Sequence, residues 1–317
     1  MKILCTGCAG YIATTLVPLL LKQGHTVTGL DDLRQGGHGI LGFYGHPNFS
    51  FYKGGINDTA LTRLVMEDQD AVIHLAALVG EPPCNKWPQV AERVNYGGTV
   101  SLLEIAKSAG VKHFLFSSTC SNYGKQPGGE LTEDAPLVPL SLYAETKIHA
   151  EKEVLTSNND EMATTVFRFA TAFGVSPRMR FDTILNEFVR DAAVNDWLSV
   201  HGKESYRTLV HVRDIAEMVV LTLEKRKEAA GQVFNVGGEH TTKLGLVNII
   251  LKYLPDLDFG FTDQINDPRD YKACFKKALA FGFKPRYSVE DGILEVMNAI
   301  QDGLFNDCNS SLYRNVP

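Results

Sequence analysis

Tyr143-Ala144-Glu145-Thr146-Lys147 sets a phenol and an ammonium four residues apart. On a helix that spacing places both side chains on one face. An ammonium about 4 Å from a phenol, at an effective dielectric of about 20, is worth roughly 4 kcal/mol. Such an interaction brings a tyrosine from about 10 toward neutrality, where it can serve as a general base. Taken alone, the Y-x-x-x-K spacing is common on exposed helices, so its surroundings decide its meaning.

A second constellation lies at the start of the chain. Gly7-Cys8-Ala9-Gly10-Tyr11-Ile12-Ala13 follows a short apolar run and opens a helical pattern. Glycines there let backbone N–H groups and the positive helix end approach a pyrophosphate. Ala13 stands where a third glycine is usual, at a position that serves helix–strand packing. Asp31-Asp32 follows at the end of the next apolar run, about 20 residues on, where a carboxylate can bond the adenosine ribose hydroxyls. Two carboxylates there repel a 2′-phosphate, so NAD is expected rather than NADP, with Arg34 as the contrary hint. The plainer alternative for Asp31 and Asp32 is a solvated turn after a strand.

The elements that must position these residues alternate between short apolar runs and helical patterns. Strands are expected at 2–5, 26–30, 49–53, 71–75, 113–117 and 164–169, and helices at 12–23, 59–66, 88–109 and 141–155. That order predicts an α/β fold with a doubly wound parallel sheet over residues 1–170. Beyond about residue 170 the pattern is irregular, with a Pro/Arg-rich stretch at 176–180, a helix near 183–194, a strand near 232–236 and a Pro-rich loop at 267–269. Residues 171–317 are read as a smaller lobe that caps the carboxyl ends of the strands and binds substrate, some of its segments returning to the sheet.

Composition narrows the function classes. With 317 residues, 44% hydrophobic and 21% charged, the chain can bury a large core. A net charge of -6 without a long Lys/Arg run leaves no footprint for nucleic acid or for an anionic membrane. No apolar stretch reaches the roughly 18 residues of a membrane span. Met1-Lys2-Ile3-Leu4 runs straight into the Gly-rich turn, which argues for a strand over a secretion signal and predicts a cytoplasmic enzyme. The six cysteines are scattered, as expected for reduced thiols. Cys5 and Cys8 have C-x-x-C spacing but no second pair or His partner, so no metal site is expected.

Gly7-x-x-Gly10, His74-Leu75-Ala76-Ala77, Asn95-x-x-Gly98-Thr99, Ser117-Ser118-Thr119 with Tyr123-Gly124, and Tyr143-x-x-x-Lys147 occur in that order. In order and spacing this set resembles the extended short-chain dehydrogenase/reductase family of NAD-dependent nucleotide-sugar epimerases and dehydratases, over nearly the whole chain. The resemblance implies a Rossmann-type sheet with a smaller C-terminal substrate-binding lobe. It implies that Tyr143 deprotonates a sugar hydroxyl, usually at C4, while Thr119 bonds the same oxygen and Lys147 lowers the Tyr pKa and holds the nicotinamide ribose. It also implies a cofactor site of Gly7, Gly10, Tyr11, Ile12, Asp31, Asp32, Leu75, Ala76, Ala77, Asn95, Ser117 and Phe169, together with Tyr143 and Lys147. Relatives often carry an Asp that bonds adenine after the third strand; here the matching position is Gly55, so either Asn57 or Asp58 substitutes or the contact is absent.

The resemblance further places the nucleotide-sugar pyrophosphate on arginines of the second lobe, for which a planar guanidinium is well suited. Arg207 and Arg269 match those positions, with Arg178 and Arg180 as further candidates, Asn186 behind them, and Val79 and Thr171 beside the sugar. A homodimer through the helices near 88–109 and 141–155 is expected from the same source.

Residues after Thr119 bear on the reaction. Dehydratases of this kind usually continue Thr-Asp-Glu, since eliminating water needs an acid and a base; here Cys120-Ser121 follows. A C4 epimerase needs no such pair and is the first reading. A C4 dehydrogenase that releases the keto sugar is the second, because 76–80, 176–182 and 267–271 look like a bacterial subgroup that includes dehydrogenases of nucleotide-linked heptoses. A dehydratase comes behind, with Cys120 or Ser121 as the supplying group. A non-catalytic NAD sensor is the remaining class, and the joint presence of Thr119, Tyr143 and Lys147 argues against it.

Overall fold

A computed structural model of the chain describes residues 1–262 and 269–315. Strands β1 (Lys2–Thr6), β2 (Thr26–Asp31), β3 (Phe49–Lys53), β4 (Ala71–His74), β5 (His113–Thr119), β6 (Ala163–Phe169) and β7 (Gln232–Val236) form one sheet, in the order β7-β6-β5-β4-β1-β2-β3. Every neighbouring pair is parallel. Parallel strands are covered on both faces, and the unbroken apolar runs of β1, β4 and β5 reflect that. The chain leaves β1 toward β2 on one side and reaches β4 on the other. The loops therefore part over the carboxyl ends of β1 and β4, the place where ligands enter open α/β sheets.

One face of the sheet packs on helices Ala13–Lys22 and Val212–Glu224, which bury Leu16, Val17, Leu20, Met218 and Val219. The other face packs on Thr59–Met66, Thr99–Ser108 and Leu142–Thr156 through Val65, Leu102, Leu103, Ala150 and Val154. Each fully buried aliphatic side chain stabilises the fold by about 1.5–3 kcal/mol. A third core gathers Phe173, Met179, Phe181, Leu185, Val189, Leu246, Ile293 and Val296. It joins helices Ile184–Val194, Lys243–Leu251 and Val289–Gln301 beside a small sheet of Thr171–Phe173, Tyr206–His211 and Glu239–Thr242.

Two departures from the sequence expectation shape the site. The continuous helix expected at 88–109 is interrupted: Pro88–Ala91 and Thr99–Ser108 flank a π-helical stretch, Glu92–Gly98. Such widened turns often occur at functional sites. Second, Lys125–Leu131 pairs in parallel with Asp270–Ala273, a strand pair that no alternating pattern announces. Asp267 and Pro268 of the expected Pro-rich loop lie outside the described residues. Among the described residues no helix is long and apolar enough to cross a membrane.

Candidate active site

A cavity of about 810 Å³ opens over the carboxyl ends of the strands. Its first wall is the turn after β1. Gly7 has φ +73°, and a Cβ there would stand 2.8 Å from the Ala76 backbone nitrogen. Only glycine combines that backbone with that close approach. The turn closes with Gly10 N–H donating to the Gly7 carbonyl at 3.0 Å, and Tyr11, Ile12 and Ala13, at the start of the helix that follows, line the cavity. This cradle, at the switch point of the sheet, fits a dinucleotide.

Asp31 and Asp32 have different tasks. Asp31 accepts from Ala9 N–H at 3.0 Å and Leu33 N–H at 2.8 Å, tying the Gly-rich turn to the end of β2. Burial pushes its pKa up, and the two N–H donors pull it back. Asp32 instead pairs with Arg34 at 2.5 Å. The guanidinium that hinted at a 2′-phosphate is thus already held by a carboxylate. After β3, Gly54, Gly55, Ile56 and Asn57 line the cavity. Asp58 is used otherwise: it caps helix Thr59–Met66 by accepting from Leu61 N–H at 3.0 Å.

The motif residues beneath are structural. His74 bridges Thr6 Oγ1 at 2.7 Å and Thr99 Oγ1 at 2.9 Å, and burial, with Lys147 nearby, drops its pKa to about 3, so the ring stays neutral. Gly98 lets Ile56 and Asn57 approach, since a Cβ would meet Ile56 Cδ1 at 2.7 Å. Asn95 corrects the sequence expectation. Its side chain does not line the cavity; the π-helical turn directs it to Leu78, accepting from Leu78 N–H at 2.7 Å and donating to Leu78 O at 3.0 Å. Asn95 therefore shapes the 75–80 loop from behind.

Opposite the cradle, Ser117, Thr119, Tyr143 and Lys147 line one wall. Helix Leu142–Thr156 starts at Ser141, whose hydroxyl accepts from Ala144 N–H at 3.3 Å, and this cap fixes Tyr143 in the first turn. Thr119 ends β5 and its Oγ1 accepts from Ser121 N–H at 3.1 Å. Lys147 Nζ sits 4.2 Å from the centroid of the Phe116 ring. Burial pulls the Lys147 pKa down to about 7, opposed by Glu151 one turn further along. Burial also pushes Tyr143 up to about 12, helped by Cys84 and opposed by Arg180 and Arg269. Here the expectation that Lys147 would lower the Tyr143 pKa is revised. Desolvation disfavours both charged forms, and the charges that draw the phenol down are the two arginines.

Arg180, Arg207 and Arg269 face the same cavity, with Val79 and Thr171. Arg180 is paired with Asp182 at 2.8 Å. Arg207 Nη1 donates to the Arg269 carbonyl at 2.7 Å, and Arg269 Nη1 donates to Ser121 Oγ at 2.9 Å, so the two arginines and Ser121 form one linked group. Three expectations change here. Cys120 is fully buried, its thiol donates to Arg168 O at 3.1 Å, and it packs with Tyr123, Tyr271 and Phe275, away from the cavity. Asn186 spends its amide on Gly174 N–H, Tyr11 Oη and Arg180 O, supporting the arginine without lining the site. Arg178 lies beside Thr14 and Gly39, near the first helix, and not among the arginines linked to Ser121.

Sequence reasoning missed the network under the catalytic wall. Glu151 accepts from Ser118 Oγ at 2.7 Å and from the Arg168 guanidinium at 2.5 Å, both partners of that ion pair being buried. Arg168 also donates to Tyr123 Oη at 2.8 Å, which donates to Asn235 Oδ1 at 2.8 Å. The available signals were Glu151 at the same helical spacing after Lys147 and an arginine inside the apolar run Val166-Phe167-Arg168-Phe169.

Comparison with known proteins agrees with this geometry. Residues 3–237 match the model of the NAD dependent epimerase/dehydratase family. A dTDP-glucose 4,6-dehydratase from Streptomyces griseus is 31% identical, over 92% of this chain and 91% of that one. A UDP-glucose 4-epimerase from Lactobacillus helveticus is 29% identical, over 93% and 95%. The crystal structure of UDP-glucuronic acid 4-epimerase from Bacillus cereus, in complex with UDP-glucuronic acid and NAD, superposes with a TM-score of 0.86 at 27% identity, covering 96% of this chain and all of that one. The chain thus belongs to the NAD-dependent epimerase/dehydratase family, an extended short-chain dehydrogenase/reductase whose cofactor is NAD.

Proposed function

We propose that the protein is a nucleotide-sugar 4-epimerase. The observation that carries this reading is the turn after Thr119. A dehydratase needs an acid and a base there, whereas Cys120 is turned into the core and Ser121 is bonded to Arg269. What remains at the wall is the set that a reversible oxidation of a secondary alcohol requires.

The roles follow from position. The Gly7–Gly10 cradle, Tyr11, Ile12, Asp31, Asp32, the 75–77 loop, Ser117, Lys147 and Phe169 hold NAD, which supplies hydride acceptance and return. Tyr143 Oη takes the proton of the C4 hydroxyl and later gives it back. Thr119 Oγ1 bonds the same oxygen and keeps it aligned. Lys147 holds the nicotinamide ribose. Arg180, Arg207 and Arg269 grip the diphosphate of the substrate, with Val79 and Thr171 against the sugar. In the empty site the phenol is held near 12; the positive charge of NAD, when bound, would favour the phenolate, while a substrate diphosphate on Arg180 and Arg269 would oppose it.

Cytoplasmic location is part of the same reading, supported by six cysteines that are all free and buried. So is a homodimer formed through the outer faces of the helices at 88–109 and 141–155, which sedimentation of the purified protein tests.

Incubation with a panel of UDP- and dTDP-sugars, followed by mass and NMR analysis, tests the reaction. Unchanged mass with altered couplings at C4 is expected. Loss of two hydrogens with stoichiometric NADH makes the protein a dehydrogenase, and loss of one water makes it a dehydratase. Tyr143→Phe is expected to cut turnover by about 10²–10⁴-fold while NAD still binds.

A further inference from the structure

Arg178 was expected among the substrate ligands, yet its surroundings belong to the opposite end of the cavity. It lines that cavity and is only 1% exposed. Its backbone N–H donates to Thr14 Oγ1 at 3.3 Å, and Thr14 Oγ1 in turn donates to the Gly10 carbonyl at 3.0 Å. Its Cβ would be 3.0 Å from a Cβ on Gly39, in the loop that follows Asp31 and Asp32. The backbone and Cβ of Arg178 therefore pack on the first helix and the loop after β2, and the charges around its guanidinium include Asp31 and Tyr11 as well as Arg180 and Asp182.

Its hydrogen bonding is incomplete in an informative way. Nη2 donates to the Arg314 carbonyl at 3.1 Å, while among the described residues Nε has no hydrogen-bond partner. The nearby carboxylates are committed elsewhere. Asp31 is taken by Ala9 and Leu33 N–H, and Asp182 by Arg180 and by Asn315 N–H at 2.8 Å. A buried cation without a bonded carboxylate is costly unless an anion completes it. Burial and the neighbouring Arg180 bring its pKa down to about 10, so it remains charged at neutral pH.

The partner of Nη2 belongs to a segment that crosses this end of the cavity. Tyr313 O accepts from Phe181 N–H at 2.8 Å, and Gln35 Nε2 donates to Asn315 O at 3.3 Å. Residues 311–315 are thereby tied both to the Ser176–Asp182 stretch and to the loop after β2, with Asn315 on the cavity wall.

We propose that Arg178, anchored by residues 311–315, binds the pyrophosphate of NAD, and that this strap keeps the cofactor in place between turnovers. The inference rests on the family's cofactor and not on the epimerase reading, so either can fail alone.

Calorimetric titration of NAD into cofactor-stripped protein, with UDP titrated separately, tests it. A charge-assisted hydrogen bond is worth about 1.5–3 kcal/mol. Arg178→Gln is therefore expected to weaken NAD binding by roughly ten- to a hundredfold, leaving UDP affinity within about twofold. Arg178→Lys, which keeps the charge but loses the planar fork, should fall between wild type and Arg178→Gln. Asn315→Pro removes the N–H that Asp182 accepts and should speed NAD release several-fold in stopped-flow chase. Unchanged NAD affinity in a folded Arg178→Gln protein overturns the proposal, as does a loss confined to UDP, which would make Arg178 a substrate ligand. Should Arg178→Gln fail to fold, Arg178→Lys decides: NAD affinity equal to wild type refutes the assignment.

Discussion

At the dinucleotide end of the cavity, Gly7, Gly10, Asp31 and Leu75 all leave the carboxyl ends of adjacent strands, and much of the wall is backbone. At the proposed sugar end, Arg180, Arg207 and Arg269 reach in from three separate segments, Arg207 bonded to the Arg269 carbonyl, Arg269 to Ser121 and Arg180 to Asp182. The first end is fixed by sheet geometry, and a side-chain change there strains the fold itself. The second is held by bonds among flexible groups, and substitutions can retune it without disturbing the sheet. This contrast fits with relatives at about 30% identity whose names record different nucleotides and different reactions on glucose.

The contrast is broken most directly at Gly7. Gly7→Ala places a methyl 2.8 Å from the Ala76 backbone at φ +73°, a strain that rigid neighbours on both sides cannot absorb. NAD affinity should fall by at least about 4 kcal/mol, a thousandfold, with a lowered melting temperature. An Ala variant that binds NAD like wild type would show that the turn is as adaptable as the arginine end.

Lys147 tests the cost of the wall between the two ends. Its pKa is lowered from 10.5 to about 7 by burial. Between those values the unfolded chain binds the proton and the folded chain does not, so stability rises with pH across the window. Below about pH 7 both states are protonated and the penalty of burying the charge is fully present. Lys147→Met should therefore abolish turnover yet be more stable at pH 6, on the order of 3 kcal/mol. The advantage should shrink as pH approaches 10. Thermal melts of the cofactor-free proteins from pH 6 to 10 check this; a difference independent of pH would mean that Lys147 is not held against its charge.

At the sugar end, Arg269→Ala removes the guanidinium that holds Ser121. KM for the nucleotide sugar is expected to rise about tenfold or more, corresponding to about 1.5–3 kcal/mol, with NAD affinity unchanged. A matching loss of NAD affinity would erase the division between the two ends.

The same division explains what the sequence made legible. Local, periodic features could be read directly: the strand at Phe49–Lys53, the helix at Thr59–Met66 and the strand at Gln232–Val236 stand at their expected bounds. The Gly-rich turn and the Tyr143/Lys147 spacing belong to this class. Features that depend on how distant segments meet were not legible. Asn95 has the family spacing, but a π-helical turn, invisible to a 3.6-residue pattern, aims it at Leu78. The strand Lys125–Leu131 contains Pro127, Gly128 and Gly129 and forms only because Asp270–Ala273 lies beside it. The partner of Glu151 is an arginine seventeen positions away, and spacing alone does not name it.

Cys120 is the smallest expected effect and separates sequence adjacency from chemical access. It follows Thr119 directly, which made it a candidate acid or base, yet strand β5 ends between them and the next turn rotates the thiol inward. Burial pushes its pKa well above the ordinary thiol range, so a thiolate is not available near neutral pH. Cys120→Ala should leave kcat within about twofold and lower stability by about 1–2 kcal/mol, through the lost bond to Arg168 O and the small cavity left beside Tyr123 and Tyr271. Thr119→Ala, one residue earlier on the cavity wall, should do the opposite, lowering kcat more than it lowers the melting temperature. If Cys120→Ala instead cut kcat tenfold with an unchanged melt, the thiol would be a reacting group, and the case against dehydration built on this turn would have to be withdrawn.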